Sequence, residues 1–385
     1  MRLALLAALL ILMALAHPAA PAALQAPGAA AEAAAAVEAE EELLRGAGDG
    51  SQPHLLHLPR TEEFVVNNRG QRLHLRSTWP AAGSPPPAAF VLSLHGYGAH
   101  SSRPTHARLA ADFCRAGVGY VTLDFHAHGH SEGSPRGLVS SPLHLVDDAL
   151  AALGALFQGP TSSLTHRVAR SAAGLPFFVM GHSMGGGAAL LVANVLRHGR
   201  EASTRSSAFA ESEAFFEARV LPHFLGALLV CPVIDMRPPP AVRSLVLSPL
   251  AALCPHGAIP AWLFNENTQN HKVWASPRYR AYIRADGWPA NADGLSFGGN
   301  IRFGMLSTIL SLADAVQRTA PQANFPFVLL HDMQEGGDIV VPAASSAAFV
   351  AQAPAAVKSL VNVPGGLHDG ESARGGGPQR GGLPA

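Results

Sequence analysis

Phe177-Phe178-Val179-Met180-Gly181-His182-Ser183-Met184-Gly185-Gly186-Gly187-Ala188-Ala189-Leu190 is the stretch around which the rest of the chain is organised. A short apolar run stops at a glycine, a serine follows two residues later, and an Ala/Leu-rich helical pattern begins at once. This is G-x-S-x-G in the setting that gives it meaning, a buried strand turning sharply into a helix. The turn demands a strained backbone at the serine, and a Cβ at Gly181 or Gly185 would crowd the neighbouring strand or helix. The helix points its N-terminal N–H groups and positive dipole end back at the serine, where an oxyanion would form. Serine alone is a poor nucleophile at neutral pH. It needs a base, and the base needs an orienting acid, so the rest of the chain must supply a histidine, a carboxylate and a second oxyanion donor.

A chain of 385 residues, 48% hydrophobic and 14% charged, is a packed globular protein long enough for one large α/β domain or two small ones. Lys+Arg and Asp+Glu balance at 27 each, with no basic face or like-charge block, which argues against nucleic acid as a partner. Cys114, Cys231 and Cys254 have no C-x-x-C or metal-ligand spacing, and their odd number excludes a full disulfide framework. Cys114 and Cys231 fall in apolar patterns, where free cysteine behaves as a small hydrophobe. The sequence calls for no metal and no cofactor.

Residues 1–23 read as a signal-like targeting segment: Arg2, then the apolar run Leu3 to Ala16, then small residues at Ala20-Pro21-Ala22. The apolar run falls short of the about 20 residues a spanning helix needs, so a cleaved signal peptide for the secretory pathway is preferred. A membrane anchor, or a plastid address opening on such a segment, are the alternatives. Residues 24–60 are low in complexity and read as a linker, and 371–385 as a Gly/Arg-rich disordered tail. The folded domain spans 61–370.

Within it, Phe64-Val65-Val66 and Leu73 to Trp79 alternate around the turn Asn67-Asn68-Arg69-Gly70, a hairpin opening a sheet. Apolar strands at 89–94, 118–123, before Gly181, at 225–231, 325–331 and 357–363 follow. They alternate with helical patterns at 104–116, 143–157, 184–196, 301–316 and 343–353. Strands and helices alternating in this way predict an α/β fold, a mostly parallel sheet with flanking helices. From Pro232 to Asn300 the pattern breaks down, and an interruption of that length reads as an inserted cap at about 237–300. Its Trp262, Phe264, Trp274, Tyr279, Tyr282 and Trp288 either wall an apolar substrate or form the cap's own core.

In an open parallel sheet the reacting groups lie beyond the carboxyl ends of strands. Asp338 follows one late strand and His368 the next, giving the order Ser…Asp…His, with one αβ unit between acid and base. Nineteen histidines compete for the base, so position decides among them. His331 ends a strand but precedes the acid's loop, and His271 lies in the cap. The ring of His182, adjacent to the serine in sequence, is expected to point away and serve structure. For the acid, Asp332 on the same loop and Asp235 after the preceding strand are alternatives to Asp338. The second oxyanion donor is expected from the loop His95-Gly96-Tyr97-Gly98, where the N–H of Tyr97 would join that of Met184, with His95 bracing the loop.

Three motifs together carry a resemblance: His95-Gly96-Tyr97-Gly98-Ala99-His100, Asp124-Phe125-His126-Ala127-His128-Gly129-His130-Ser131-Glu132-Gly133, and Gly181-His182-Ser183-Met184-Gly185-Gly186. They resemble the monoacylglycerol lipase and lysophospholipase-like group of α/β-hydrolases, the serine aminopeptidase-like branch. Asn300 to Leu306 and Gly337 to Pro342 are also similar to that group's segments before and around its acid, so the resemblance covers about residues 61–370. It implies the α/β-hydrolase fold, Ser183 as nucleophile, Asp338 as acid, His368 as base, Tyr97 and Met184 as oxyanion donors, and a cap over an acyl-chain tunnel. Ala99 stands where the group usually has Glu, and Ala127 where it usually has Gly. The implied activity is hydrolysis of a small-molecule lipid ester, a monoacylglycerol or lysophospholipid, through an acyl-enzyme, with transient contact of the cap with a membrane surface. An acyltransferase using the same groups and a non-catalytic binding protein on the same scaffold are the competing expectations. An aminopeptidase would call for an acidic cluster in the cap, where Glu266, Asp286 and Asp293 are scattered.

Overall fold

In the computed structural model the described residues run from 60 to 368, apart from 82, 159–171, 173, 237, 261–272, 275–276, 289–291 and 293. The targeting segment, the linker up to residue 59, the tail, Trp262, Phe264, Glu266, His271, Asp293 and the side chain of Trp288 lie outside them. The chain opens with β1 (Arg60–Val66), β2 (Arg72–Thr78), β3 (Ala89–Leu94), α1 (Pro104–Arg115), β4 (Val118–Leu123), α2 (Pro142–Gln158), β5 (Phe177–His182), α3 (Met184–His198) and β6 (Phe224–Val230). Then come α4 (Pro277–Ala285), β7 (Gly287–Trp288), β8 (Ser296–Phe297), α5 (Phe303–Thr319), β9 (Phe327–His331), α6 (Ala343–Gln352) and β10 (Lys358–Asn362).

One eight-stranded sheet has the order β1-β2-β4-β3-β5-β6-β9-β10. The hairpin β1–β2 and the pair β2–β4 are antiparallel, and every pairing from β4 to β10 is parallel. Alternation explains the layers, since successive side chains of a strand face opposite sides. Phe90, Leu92, Leu94, Phe177, Val179, Ala227 and Leu229 join one core beneath α2, α3 and α5. Ala89, Val91, Phe178, Met180, Leu228 and Val230 face the other way and pack with Leu109 and Phe113 of α1. All six residues of β3 and of β4 are buried, which is why these strands read as unbroken apolar runs.

β3 is paired with β4 on one side and β5 on the other, so the chain reverses its direction of travel across the sheet there. The carboxyl ends of β3 and β5 flank the crevice such a switch creates. β9 and β10, two and three strands beyond β5, carry the loops of Asp338 and His368.

The irregular stretch expected to form a cap holds a helical run from Pro240 to Leu253, with a π segment at Arg243–Leu247, then α4 and the small parallel pair β7–β8. Arg243 forms a bidentate ion pair with Asp314 of α5, which fastens that run to the domain. Residues 199–223 form short helices and turns, including Ser207–Glu211, which place Phe209 and Phe216 in the core. Elements of five residues or fewer are too short to display a helical period, so the sequence pattern left this stretch unassigned.

Candidate active site

Ser183 sits between β5 and α3 with φ 54° and ψ −118°, a backbone conformation that a residue with a Cβ rarely adopts. The strain is over-determined by its surroundings. Its N–H donates to Val230 O at 3.0 Å, and its carbonyl accepts from Gly187 N at 3.1 Å and Val233 N at 2.9 Å. A Cβ on Gly181 would lie 2.1 Å from Gly185 O, and one on Gly185 would lie 2.1 Å from Leu94 O. Both glycines are therefore required by close backbone approach, the crowding that the motif predicted.

From the end of β10 the chain must return across β9 and β6 to reach this serine, about 14 Å at strand spacing. Val363 to His368 span it by turning at Gly365 and Leu367, whose φ values are 72° and 52°. The result is a continuous hydrogen-bonded chain. Ser183 Oγ lies 2.8 Å from His368 Nε2, and His368 Nδ1 lies 2.8 Å from Asp338 Oδ2. Ser183 and His368 are 8% and 5% exposed, so both are largely shielded from water. The other oxygen of Asp338 accepts the N–H groups of Val340 at 2.8 Å and Val341 at 2.9 Å. Burial would raise the Asp338 carboxyl; the charge of His368, the hydrogen bonds from His331 and His368, and the Val341 N–H outweigh it and hold it well below the usual carboxylate range. An ionised carboxylate thus orients an imidazole whose far nitrogen meets a serine hydroxyl, an arrangement suited to removing the hydroxyl proton.

Of the three carboxylates considered, Asp338 is the one at His368 Nδ1. Asp332 instead braces two loops, accepting from Gln334 N and Leu367 N, both at 3.1 Å. His182 donates from Nε2 to His368 O at 2.8 Å, so it supports the backbone that carries His368. Burial and then the neighbouring His368 push it down to about 3, which keeps it neutral. His95 donates from Nδ1 to Gly96 O at 2.7 Å and accepts Phe125 N–H at 3.1 Å, so both ring nitrogens serve the loop that starts beside Ser183. Burial, then His128, hold it well below the ordinary histidine range. Tyr97 follows on that loop, and Met184 is the first residue of α3.

The sequence did not reveal how the cap is attached. Phe297 of β8 donates its N–H to Gly98 O at 2.9 Å and sets its ring 5.8 Å from that of Tyr97. Asp286, at the end of α4, accepts from His100 Nε2 at 2.7 Å, Leu295 N at 3.1 Å and Ser296 Oγ at 2.8 Å. Arg103 bonds Gly98 O and Ser296 Oγ and lies over the ring of Trp274. Trp274, Tyr279 and Tyr282 pack on one another, as expected for a core within the cap. The unusual Ala127 also has a structural expression, for its φ of 61° is one that glycine adopts more readily. Among the described residues one grouping has metal-ligand spacing: Cys231, Asp338 and His368 each offer an atom within 4.8 Å of the others. Asp338 and His368 are already hydrogen-bonded to one another, so this grouping reads as that pair with a buried thiol beside it.

A serine in a strained strand-to-helix turn, joined to a histidine and a carboxylate at the carboxyl edge of a mostly parallel sheet, defines an α/β hydrolase. The family described as "Serine aminopeptidase, S33" matches residues 85–371, and the chain belongs to it. Human monoglyceride lipase is 26% identical over 272 residues, covering 69% of this chain and 70% of that protein. The monoglyceride lipase of Rattus norvegicus is 26% identical over 304 residues, covering 79% and 82%. A soluble variant of the Saccharomyces cerevisiae monoglyceride lipase, solved with a substrate analog, has a TM-score of 0.51 at 18% identity, covering 81% of this chain and 90% of its own; that likeness bears on the fold. The chain is a monoglyceride-lipase-like α/β hydrolase, an ester hydrolase, as its three motifs led one to expect.

Proposed function

We propose that the protein cleaves the carboxylic ester of a monoacylglycerol or lysophospholipid through an acyl-enzyme on Ser183. The observation that carries this reading is the unbroken chain Ser183 Oγ–His368–Asp338, each link 2.8 Å. In the first half-reaction His368 takes the hydroxyl proton as Oγ attacks the carbonyl carbon, and the N–H groups of Tyr97 and Met184 stabilise the oxyanion. His368 then gives that proton to the leaving alcohol. In the second half-reaction it takes a proton from water, hydroxide adds to the acyl carbon, and the proton returns to Ser183 as the acid leaves. Asp338 keeps Nδ1 protonated and steadies the imidazolium throughout.

The lipid substrate class is supported by the two mammalian monoglyceride lipases and by the outer face of the cap. Val242, Leu245, Val246 and Leu253 are 42%, 76%, 46% and 81% exposed there, an apolar stripe suited to transient contact with a lipid surface. Among the described residues no helix is long and apolar enough to cross a membrane. The N-terminal segment leads us to place the protein in the secretory pathway. A peptide amino terminus is the less favoured substrate, because Asp286, a cap acid that would have to hold it, is occupied by His100, Leu295 and Ser296.

The test is fluorophosphonate labelling of the purified protein together with release of fatty acid from monoacylglycerol and lysophospholipid, with and without added glycerol. Label and turnover should both disappear in Ser183→Ala. Normal turnover by that variant would refute the mechanism, and acyl transfer to glycerol in preference to water would reassign the reaction.

A further inference from the structure

Asp338 has a second histidine. His331, the last residue of β9, is wholly buried, and its Nε2 lies 2.9 Å from the same Oδ2 that His368 meets. Its Nδ1 lies 2.7 Å from the hydroxyl of Ser346, a wholly buried residue of α6. The proton on His331 can be placed from these contacts. A lone pair on Nε2 would face an ionised carboxylate oxygen, so Nε2 carries the proton and donates it, while Nδ1 accepts from the Ser346 hydroxyl. Oδ2 therefore receives two imidazole N–H groups, and Oδ1 receives the N–H groups of Val340 and Val341. All four acceptor sites of the carboxylate are filled.

We infer that His331 is a positioning residue for the ester hydrolysis: its N–H, fixed in direction by Ser346, holds Asp338 in register with His368 and tempers how strongly the carboxylate binds the protonated base. The inference rests on the reading of Ser183, His368 and Asp338 as the reacting chain. Two effects follow from it. A carboxylate pinned by three other donors cannot rotate away when His368 moves toward the leaving group. And a carboxylate shared between two imidazoles holds each less tightly than it would hold one, so His368 releases its proton to the leaving alcohol more readily. The other titratable groups facing this pair are His182, whose ring is 5.3 Å from that of His368, Cys231 on the loop after β6, and Asp332, bonded to Leu367 N. None of them is altered in the variants below.

The experiment compares His331→Leu, His331→Gln and Ser346→Ala with the wild type in full pH profiles of kcat and kcat/KM on one ester substrate. The Gln amide nitrogen stands where Nε2 stood and keeps a donor to Oδ2; Leu fills the space without one. For His331→Leu, kcat should fall about ten- to a hundred-fold with KM nearly unchanged. The acid limb of kcat/KM should move up by about half a pH unit or more, because the freed carboxylate holds the protonated base more strongly. His331→Gln should recover most of both, and Ser346→Ala should move the acid limb in the same direction by less. An unmoved profile in His331→Leu, or equal losses in Leu and Gln, overturns the inference. Should His331→Leu fail to fold, an unmoved acid limb in Ser346→Ala overturns it instead. A wild type without esterase activity, or a Ser183→Ala variant that retains it, would sink the reading of the reacting chain, a result distinct from failure of the His331 variants alone.

Discussion

Two buried carboxylates follow strands on either side of the β3–β5 pair at one edge of this sheet, each with an imidazole against it. Asp124 follows β4, accepting from Ser101 N at 2.5 Å on one oxygen and from His130 N at 3.0 Å and His74 Nδ1 at 3.1 Å on the other. Asp338 follows β9 and collects two backbone N–H groups and two imidazoles. Burial opposes ionisation of both, and in both the nearby histidines and backbone donors win, holding the carboxyl well below its usual range. The pairs part at the far side of the ring. His74 Nε2 looks toward Glu62 at 3.5 Å, at the hairpin edge, whereas His368 Nε2 meets Ser183 Oγ at 2.8 Å. A depressed carboxylate with a histidine partner is therefore a property of well-satisfied burial, and on the proposed mechanism the serine beyond the imidazole is what sets one of them apart.

The sharpest way to break that comparison is to alter each pair and see which property fails. Ser183→Ala and Asp338→Asn should each lower ester hydrolysis by about 10⁴-fold, measured by fatty-acid release; in calorimetry Ser183→Ala should melt near the wild type and Asp338→Asn lower, because its amide sets N–H groups against the donors that now converge on the carboxylate. Comparable activity in Asp338→Asn would mean that the two carboxylates do not differ in kind. Asp124→Ala should do the reverse, costing about 3–5 kcal/mol of stability in urea titrations through the loss of the carboxylate that Ser101 N, His130 N and His74 share, while kcat per folded molecule stays near wild type.

Acid should expose what the two regions share. Burial pushes His106 and His182 down to about 3 and His128 down to about 4, so these rings stay neutral in the fold but bind protons once the chain unfolds. Their stabilisation is fully present above about pH 6.5 and is lost as pH falls toward 4, with each ring contributing up to about 1.4 kcal/mol per pH unit. The depressed carboxylates act in the same direction, but only below their ordinary range near pH 4. Unfolding midpoints should thus be flat above pH 7 and fall steadily between pH 6.5 and 4; a flat curve through that window would contradict the buried neutral histidines. The smallest effect is expected at the cap. Leu245→Ser with Leu253→Ser should weaken binding to phosphatidylcholine vesicles a few-fold, read by co-sedimentation, while hydrolysis of a soluble short-chain ester is unchanged.

How much of this was legible in the chain follows from the range over which each feature is encoded. β3 and β4 are buried on both faces and announce themselves as apolar runs, and the serine turn is written in consecutive residues. Asp338 and His368 stand out by their order and their places after late strands, and the structure brings both to Ser183 at the carboxyl edge of the sheet. His331 reads as the end of a strand, yet its bond to Asp338 depends on the curl of the loop between them, which periodicity does not describe. The grip of His100 and Arg103 on Asp286 and Ser296 joins residues nearly two hundred positions apart, and the cap between has no repeating pattern to fix its path. Ala127 was noticed as a departure from a motif, and its positive φ is the physical reason the position is demanding.

The bond from Phe297 N–H to Gly98 O bears on how this enzyme is to be re-engineered. Caps of such hydrolases invite transplantation, on the view that a substrate-selecting lid can be lifted from one scaffold and set on another. Here a main-chain hydrogen bond joins residue 297 to the loop that carries Tyr97, and Asp286 and Ser296 are knotted to His100 and Arg103 just behind it. The boundary for a graft therefore runs inside the cap, before α4, and a chimera that keeps residues 277–300 with the scaffold preserves the loop that an exchange of the whole insert would unpick.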